Sequence, residues 1–223
     1  MPPDPRVTVG PAVTAIESVR ADARLLHAGV RAARVAVLSD RSVSVGVGVI
    51  GRPGYFDRAA AEGLHEVHRD TGGTAILHGI GDLAWSLVLP RGDPRVGRDF
   101  VRAYARLGAG VVAWLRTYGV DAFWGAPPSL FEDYCLLSAR GQVLRVGDRI
   151  LGGAAQHATG SALLHHGIVP YFFDRALWSR VFQPPDPELY ERLCGVSDLG
   201  IRIPPDAAAR ELAREISAAL AEG

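Results

Sequence analysis

Apolar residues recur at helical spacing in several parts of the chain. Residues 12–26 carry an apolar side chain every three or four positions and are followed by Gly29, which predicts a helix with a glycine stop. Residues 93–118 show the same spacing over a longer stretch and are followed by Gly119, which predicts a long amphipathic helix. Shorter helices are predicted over residues 55–63, 187–194 and 205–220.

The segments between these helices alternate β-branched and small residues, a pattern that predicts strands. Residues 34–49 contain two of them, reading RVAVLSD and SVSVGVGV. Further short strands are predicted at residues 66–69, 75–78, 83–89, 134–138, 143–146, 149–155 and 163–169, with a turn at 139–141. Because closely spaced short strands favour antiparallel pairing, we predict an α+β fold with a mixed or antiparallel sheet flanked by helices.

The composition is typical of one globular domain, and we predict that residues 1–223 form it. The formal net charge is zero, which disfavours nucleic acid as a partner. With no long apolar run and no signal-like N-terminus, we expect no membrane association and a cytoplasmic protein. Cys135 and Cys194 lack CxxC spacing, and no histidine–carboxylate cluster has metal-ligand spacing, so we predict no metal site.

Two glycine-rich segments are the candidate ligand-binding elements. Residues 69–86 read RDTGGTAILHGIGDLAWS, and residues 148–167 read DRILGGAAQHATGSALLHHG. Glycines let backbone amides approach an anion without a Cβ in the way, and the guanidinium of Arg69 would add a charged clamp. A single glycine pair is usually only a turn. Two such segments predict a groove lined by main chain.

In this order, the segments resemble the catalytic domain of the biotin/lipoate protein ligase and lipoyl(octanoyl)transferase superfamily. The lipoate protein ligase branch has the pattern RRxTGGGAVxHxxG[ND]LxxS, followed by xK[IV]xGxA[QY] and LxHG. The chain matches it at Arg69, Thr71, Gly72, Gly73, Ala75, His78, Gly81, Asp82, Leu83 and Ser86, then at Ile150, Gly152 or Gly153, Ala155 and Gln156, and finally at Leu164, His166 and Gly167. The resemblance implies a fold like that of class II aminoacyl-tRNA synthetases, without a separate C-terminal accessory domain.

The same resemblance implies the positions that bind substrate or cofactor. They are Arg69, Thr71, Gly72, Gly73, Thr74, Ala75, His78, Asp82, Gly152, Gly153, Ala154, Ala155, Gln156, His166 and Gly167. The chain departs from the family in containing no lysine, since all 24 basic residues are arginine. The family's catalytic lysine falls on Arg149, which keeps the positive charge but cannot exchange a proton. Codon usage in a GC-rich genome would explain the missing lysine, as would avoidance of nucleophilic amines near a reactive acyl group.

The function implied by the resemblance is that of a lipoate protein ligase or a lipoyl/octanoyl transferase, which binds an acyl or acyl-adenylate group and transfers it to an amine. The acyl substrate would be lipoate, octanoate or a related group, with ATP and Mg²⁺ needed by a ligase. The acceptor would be an acyl-carrier or lipoyl-domain protein or a small-molecule amine, and a small accessory subunit could take part. The alternatives are a non-catalytic relative, such as the ligand-binding subunit of a split ligase, and an amide-forming biosynthetic enzyme.

Cys135 and the histidine pair allow further interpretations. Some octanoyltransferases of this superfamily hold the acyl group as a thioester on a cysteine. Cys135 is expected instead to be a buried strand residue, because the charges of Glu132 and Asp133 beside it disfavour a thiolate. Since neighbouring strand residues point to opposite faces, only one of His165 and His166 is expected to face the groove.

Overall fold

The computed structural model describes residues 7–97, 99–127, 131–137 and 142–222. The strands in this part of the chain are β1 (Val7–Val9), β2 (Ala32–Val37), β3 (Ser42–Val45), β4 (His65–His68), β5 (Ala75–His78), β6 (Leu83–Pro90), β7 (Ala122–Gly125), β8 (Val143–Val146), β9 (Arg149–Ala158) and β10 (Ala162–Val169). The α-helices are α1 (Ala15–Ala28), α2 (Tyr55–Ala61), α3 (Phe100–Leu107), α4 (Ala109–Arg116), α5 (Arg175–Phe182) and α6 (Pro205–Glu222). Short 3-10 helices lie at Cys135–Leu137, Pro187–Tyr190 and Val196–Leu199.

The strands form a large sheet and a small one. The large sheet has the order β1-β2-β6-β10-β9-β8-β7, in which β1 and β2 are parallel and the other neighbours are antiparallel. The small sheet has the order β4-β3-β5, with β3 parallel to β4 and antiparallel to β5. The predicted α+β fold with a mixed sheet flanked by helices is confirmed.

The large sheet separates two apolar cores. Alternate residues of β6, such as Trp85 and Leu87, pack on one face with residues of α4 and α6, including Trp114 and Leu212. The second core joins Ile168 of the large sheet to the small sheet and to α2 and α5. Helix α1 contacts β6 and β10 of the large sheet and β4 of the small one. This arrangement places α1 over the space between the two sheets.

Helix α1 illustrates how local sequence fixes an element that borders this space. The Thr14 hydroxyl accepts a hydrogen bond from the backbone N–H of Glu17, and the Glu17 carboxylate accepts one from the backbone N–H of Thr14, so a capping box starts the helix. Gly29 ends it with a φ of 63°, a left-handed conformation that glycine adopts readily. The predicted glycine stop is confirmed.

Some predicted elements are wrong in extent or type. Residues 134–137 form an isolated bridge and a 3-10 helix instead of a strand, while Ser138 and the predicted turn at 139–141 lie outside the described residues. The helix predicted at 187–194 is a short 3-10 helix, Pro187–Tyr190. The long helix predicted at 93–118 is divided into α3 and α4 at Gly108. A Cβ there would lie 2.5 Å from the Trp124 indole, whose N–H donates to the Gly108 carbonyl at 3.0 Å.

Candidate active site between the two sheets

A largely apolar cavity lies between the large sheet, α1 and the small sheet. Its polar side chains are Ser18, Asp22, Ser44, Arg69, His78, Cys135, Gln142 and His166, and part of one wall is the nearly bare backbone of Gly153, Ala154, Ala155 and Gly167. The rest of the lining is apolar and includes Val19, Leu38, Ile76, Trp85, Leu136 and Ile168. A cavity that is apolar along its walls and polar at a few points suits a ligand with a hydrocarbon chain and one reactive end.

Arg69 follows β4 and connects the first glycine segment to the cavity. Its Nη2 donates to the carbonyl of Thr74 at 2.9 Å and to that of Gly72 at 3.3 Å, and its Nη1 donates to the Ser44 hydroxyl at 3.1 Å. The same Nη2 lies 3.8 Å from the Cys135 sulfur. Burial lowers the pKa of Arg69, but the ordinary value is so high that the side chain stays charged at neutral pH. A permanent positive charge therefore lies beside the thiol.

Cys135 is the cysteine that lines the cavity. It begins the 3-10 helix Cys135–Leu137 and is partly exposed, so the expectation of a buried strand cysteine is wrong. Glu132 and Asp133, which were expected to disfavour a thiolate, are exposed to solvent. The Cys135 sulfur also lies close to Gly73, since a Cβ on that glycine would be 2.5 Å from it. The thiol therefore packs directly on glycine backbone.

His78 joins the same hydrogen-bond network through Ser44. The Ser44 hydroxyl lies 2.7 Å from His78 Nε2 and accepts from Arg69. Burial, with smaller contributions from Arg69 and His166, lowers the pKa of His78 to about 3. His78 is consequently neutral at physiological pH and cannot compete with Arg69 for a negative charge.

A second network crosses the cavity from α1 to the first glycine segment. The Asp22 carboxylate lies 2.9 Å from His166 Nδ1 and accepts from Arg34 Nη1 at 2.6 Å, while His166 Nε2 lies 2.8 Å from the Thr71 hydroxyl. Arg34, Ser86 and His166 occupy one row across β2, β6 and β10, on the face covered by α1. Burial acts to raise the pKa of Asp22. The hydrogen bond from His166 and the charges of His166 and Arg34 outweigh that effect and hold this pKa below its ordinary value.

Asp22, Ser18, Arg34 and Ser44 were missed by the sequence analysis. The available signal was the buried stripe of α1, in which Ala15, Ser18, Asp22 and Leu26 follow helical spacing. A carboxylate in the buried stripe of an amphipathic helix requires a polar or charged partner. No sequence pattern indicates that this partner is on β10.

Part of the second glycine segment forms one wall of the cavity, and its small residues let the backbone itself line the space. A Cβ on Gly153 would lie 2.5 Å from a methyl group of Leu136, and one on Gly167 would lie 2.5 Å from the Gly153 carbonyl and 2.6 Å from the Trp85 ring. These contacts leave no space for larger residues between the wall and its neighbours.

The candidate residues divide into those that line the cavity and those that lie outside its described lining. Lining the cavity are Arg69, His78, Gly153, Ala154, Ala155, His166 and Gly167; outside its described lining are Thr71, Gly72, Gly73, Thr74, Ala75, Asp82, Arg149, Gly152 and Gln156. Asp82 is buried and accepts from the backbone N–H groups of Gly79 and Tyr171, at 2.7 and 2.9 Å, so it holds a turn together. Gln156 lies 3.1 Å from His165, which packs against Trp85 on the other face of the sheet.

Arg149 is not brought together with the other candidates. It is the first residue of β9, opposite Val146, and four residue steps of about 3.3 Å each separate it from Gly153 in the wall. If Gly153 is the glycine of the family pattern, as the match at Gln156 requires, the lysine position falls on Ile150. Ile150 is completely buried in the apolar core. The described part of β9 thus supplies no cation to the cavity.

The chain matches the family model for the lipoyl protein ligase A/B catalytic domain over residues 49–202. The chain belongs to this family. Octanoyltransferase LipM of Geobacillus kaustophilus is 28% identical over 158 residues, which cover 63% of this chain and 56% of that protein. The chain therefore spans little more than half the length of the curated relatives it matches.

Solved structures support the same fold. A lipoate-protein ligase A bound with ATP is 24% identical and has a TM-score of 0.78, with 98% of this chain and 86% of that chain covered. A bi-partite lipoate protein ligase from Thermoplasma acidophilum is 22% identical and has a TM-score of 0.74, with 98% and 84% covered. At these identities the likeness establishes the lipoate-ligase fold alone.

No group of three or more histidine, cysteine or acidic side chains among the described residues could hold a metal ion. None of the helices in the same residues is long and apolar enough to cross a membrane.

Proposed function

We propose that this protein is a lipoyl or octanoyl transferase that carries the acyl group as a thioester on Cys135 and passes it to an amine. The observation that carries the proposal is the position of the Cys135 sulfur, which lines an apolar cavity 3.8 Å from the buried guanidinium of Arg69. A positive charge beside a thiol favours the nucleophilic thiolate. The similarity to octanoyltransferases supports the same class of reaction.

The reaction would proceed in two transfers. The Cys135 thiolate adds to the carbonyl carbon of a donor thioester, the bond from that carbon to the carrier's sulfur breaks, and the carrier leaves as a thiol. An acceptor amine then adds to the Cys135 thioester, forms the amide, loses one proton and releases Cys135. Neither transfer consumes ATP. The hydrocarbon chain would lie against the apolar side chains and the bare wall at Gly153 and Gly167.

Arg69 would have two tasks in this scheme. Its contacts with Gly72 and Thr74 hold the first glycine segment in place, and its contact with Cys135 stabilises negative charge on sulfur. Because arginine does not release its proton, Arg69 would act by charge alone.

The acceptor would be the lysine side chain of a lipoyl-domain protein, with an acyl-carrier protein as donor. A small-molecule amine as acceptor would give the same two transfers and a different product. One structural neighbour is a bi-partite ligase, so the transfer assay should be run with and without a small accessory subunit.

An ATP-dependent ligase is the second candidate, favoured by the fold shared with an ATP-bound lipoate-protein ligase. In a ligase, ATP would supply the activation of a free carboxylate as an acyl-adenylate. Arg69 and the first glycine segment are the described groups suited to an anionic phosphate.

Intact-protein mass spectrometry distinguishes these functions. The protein is incubated with octanoyl carrier protein and, in parallel, with octanoate or lipoate plus ATP and Mg²⁺, each with and without a lipoyl-domain acceptor. We expect octanoyl carrier protein to give a hydroxylamine-sensitive adduct that Cys135→Ala loses and that the buried-cysteine control Cys194→Ala retains. An ATP-dependent product without this adduct would favour the ligase, and no product from either mixture would favour a non-catalytic relative.

A further inference from the structure

We propose that His166, oriented by Asp22, is the residue that accepts and returns the proton during acyl transfer. The inference rests on the proposed function, because the proton in question is that of Cys135 or of the attacking amine. It identifies a proton acceptor in a chain that has no lysine.

The first argument is the chemistry of the cavity's titratable side chains, which among the described residues are Asp22, Arg69, Cys135, His78 and His166. Arg69 carries a proton that it does not release, so it has no free electron pair to accept another. Asp22 and His78 are weak bases because the pKa of each is lowered, that of His78 to about 3. His166 remains, and an imidazole is the side chain best suited to move protons near neutral pH.

The second argument is geometric. Ionised Asp22 can only accept a hydrogen bond, so at 2.9 Å it holds a hydrogen on His166 Nδ1 whenever the ring gives up its other proton. His166 Nε2 then presents its free electron pair and accepts from the Thr71 hydroxyl at 2.8 Å. A carboxylate that orients an imidazole is part of the arrangement used to activate nucleophiles. Here the second nitrogen bonds Thr71, and the ring lines the same cavity as Cys135.

The charges around His166 maintain this arrangement. Helix α1 contributes Asp22, whose other oxygen binds Arg34 of β2 at 2.6 Å. Arg69 lines the same cavity beyond β4, as do His78 of β5 and Cys135. On its own strand, His165 points away from His166 and packs against Trp85 and Tyr104. Strand β9 places uncharged Ala155 opposite His166.

The proton balance is closed in each transfer. His166 and Cys135 line one cavity, and the proton passes after Nε2 exchanges its bond with Thr71 for a bond with the thiol or a bridging water. In the first transfer, His166 takes the Cys135 proton and returns it to the departing carrier thiolate. In the second, His166 takes one proton from the attacking amine and returns it to the departing Cys135 thiolate.

The test uses the reactivity of Cys135, which needs no acyl substrate. Alkylation by iodoacetamide is followed by mass spectrometry from pH 5 to 10 in the full chain and in His166→Gln, Asp22→Asn and the exposed control His27→Gln, with buried Cys194 as an internal reference. We expect alkylation at pH 7 to be at least about tenfold slower in His166→Gln than in the parent. The rate in the variant should recover only at higher pH. Asp22→Asn should have a smaller effect in the same direction, and His27→Gln should behave as the parent.

A measurement on the unmodified sequence covers the case in which a variant fails to fold. The His166 ring signals are titrated by NMR before and after Cys135 is blocked with a small neutral disulfide-forming reagent. We expect blocking to change the pH dependence of these signals, because two groups that exchange a proton titrate as a pair. An unchanged titration would overturn the assignment of His166.

These outcomes also separate the inference from the proposed function. If His166→Gln changes the alkylation profile but no acyl adduct forms on Cys135, the acyl substrate is wrong and the proton acceptor stands. If the adduct forms and His166→Gln leaves both its rate of formation and the alkylation profile unchanged, the transferase stands and the role of His166 is refuted.

Discussion

The Cys135 sulfur lies 2.5 Å from the point that a Cβ on Gly73 would occupy, so the thiol fits only against glycine. The Gly73 backbone also has a φ of 93°, a conformation that side chains rarely adopt.

Gly73→Ala should therefore displace Cys135 and strain the loop. We expect a loss of about 1 to 3 kcal/mol in the free energy of unfolding and slower alkylation of Cys135, measured by urea denaturation and by mass spectrometry. Gly72→Ala is the matched control, since a Cβ at Gly72 meets nothing within 4 Å. Equal alkylation rates in the two variants would show that Gly73 does not position the thiol.

Arg69 should affect both stability and the reactivity of Cys135. Arg69→Met removes a charged donor from the partly buried carbonyls of Gly72 and Thr74, of which Thr74 keeps the backbone N–H of Gly46, and we expect it to cost about 1.5 to 3 kcal/mol in the free energy of unfolding. It should also slow the alkylation of Cys135 at pH 7, because the thiolate loses its positive neighbour. Arg69→Lys should preserve more of the reactivity than of the stability, and the opposite order would contradict a charge-based role.

Arg149 should be dispensable for the chemistry at Cys135. It lies outside the described lining of the cavity, at the start of β9. We expect Arg149→Ala to form the octanoyl adduct at a rate within about twofold of the parent, a difference of less than 0.5 kcal/mol in the barrier. Loss of the adduct in a folded Arg149→Ala protein would instead support the catalytic role that the family resemblance implies.

The sequence predicts eight of the ten described strands, because their periodicity is local, and misses the short strands β1 and β7. It also indicates the bare wall at Gly153 and Gly167, since glycine-rich stretches stand out from their neighbours, whereas Gly72 and Gly73 of the first segment lie outside the described lining. It does not predict the polar networks, because Asp22 and His166 are 144 residues apart and meet only when α1 packs on β10. The prediction for Cys135 was wrong for a related reason. Its sequence neighbours Glu132 and Asp133 suggest a negative environment, whereas the positive neighbour, Arg69, is distant in sequence and meets it only in the fold.

His165 and His78 should make the protein sensitive to acid. Burial lowers the pKa of each from 6.5 to about 3, so the folded state binds fewer protons than the unfolded state in this range. Their contribution to stability is fully present above pH 6.5 and is lost as pH falls toward 3, by up to about 4 to 5 kcal/mol for each residue. We expect urea denaturation of His165→Gln to show a shallower loss of stability across this window, while the exposed control His27→Gln follows the parent. A parallel course for His165→Gln and the parent would contradict a buried neutral His165.

The bare wall at Gly167 should determine whether the cavity accepts an acyl chain. A Cβ at this position would meet the Trp85 ring at 2.6 Å and the Gly153 carbonyl at 2.5 Å, so Gly167→Ala must push the wall or the ring aside. We expect a cost of about 1 to 3 kcal/mol in the free energy of unfolding and weaker binding of octanoate or an octanoyl analogue, measured by calorimetry. Gly160→Ala, in the turn between β9 and β10, is the control because a Cβ there meets nothing within 4 Å. Since the atoms nearest to a Cβ at Gly167 belong to Gly153 and Trp85, and not to Cys135 or Arg69, alkylation of Cys135 in Gly167→Ala should stay close to that of Gly160→Ala. If alkylation falls while binding persists, the wall positions the thiol and not the chain.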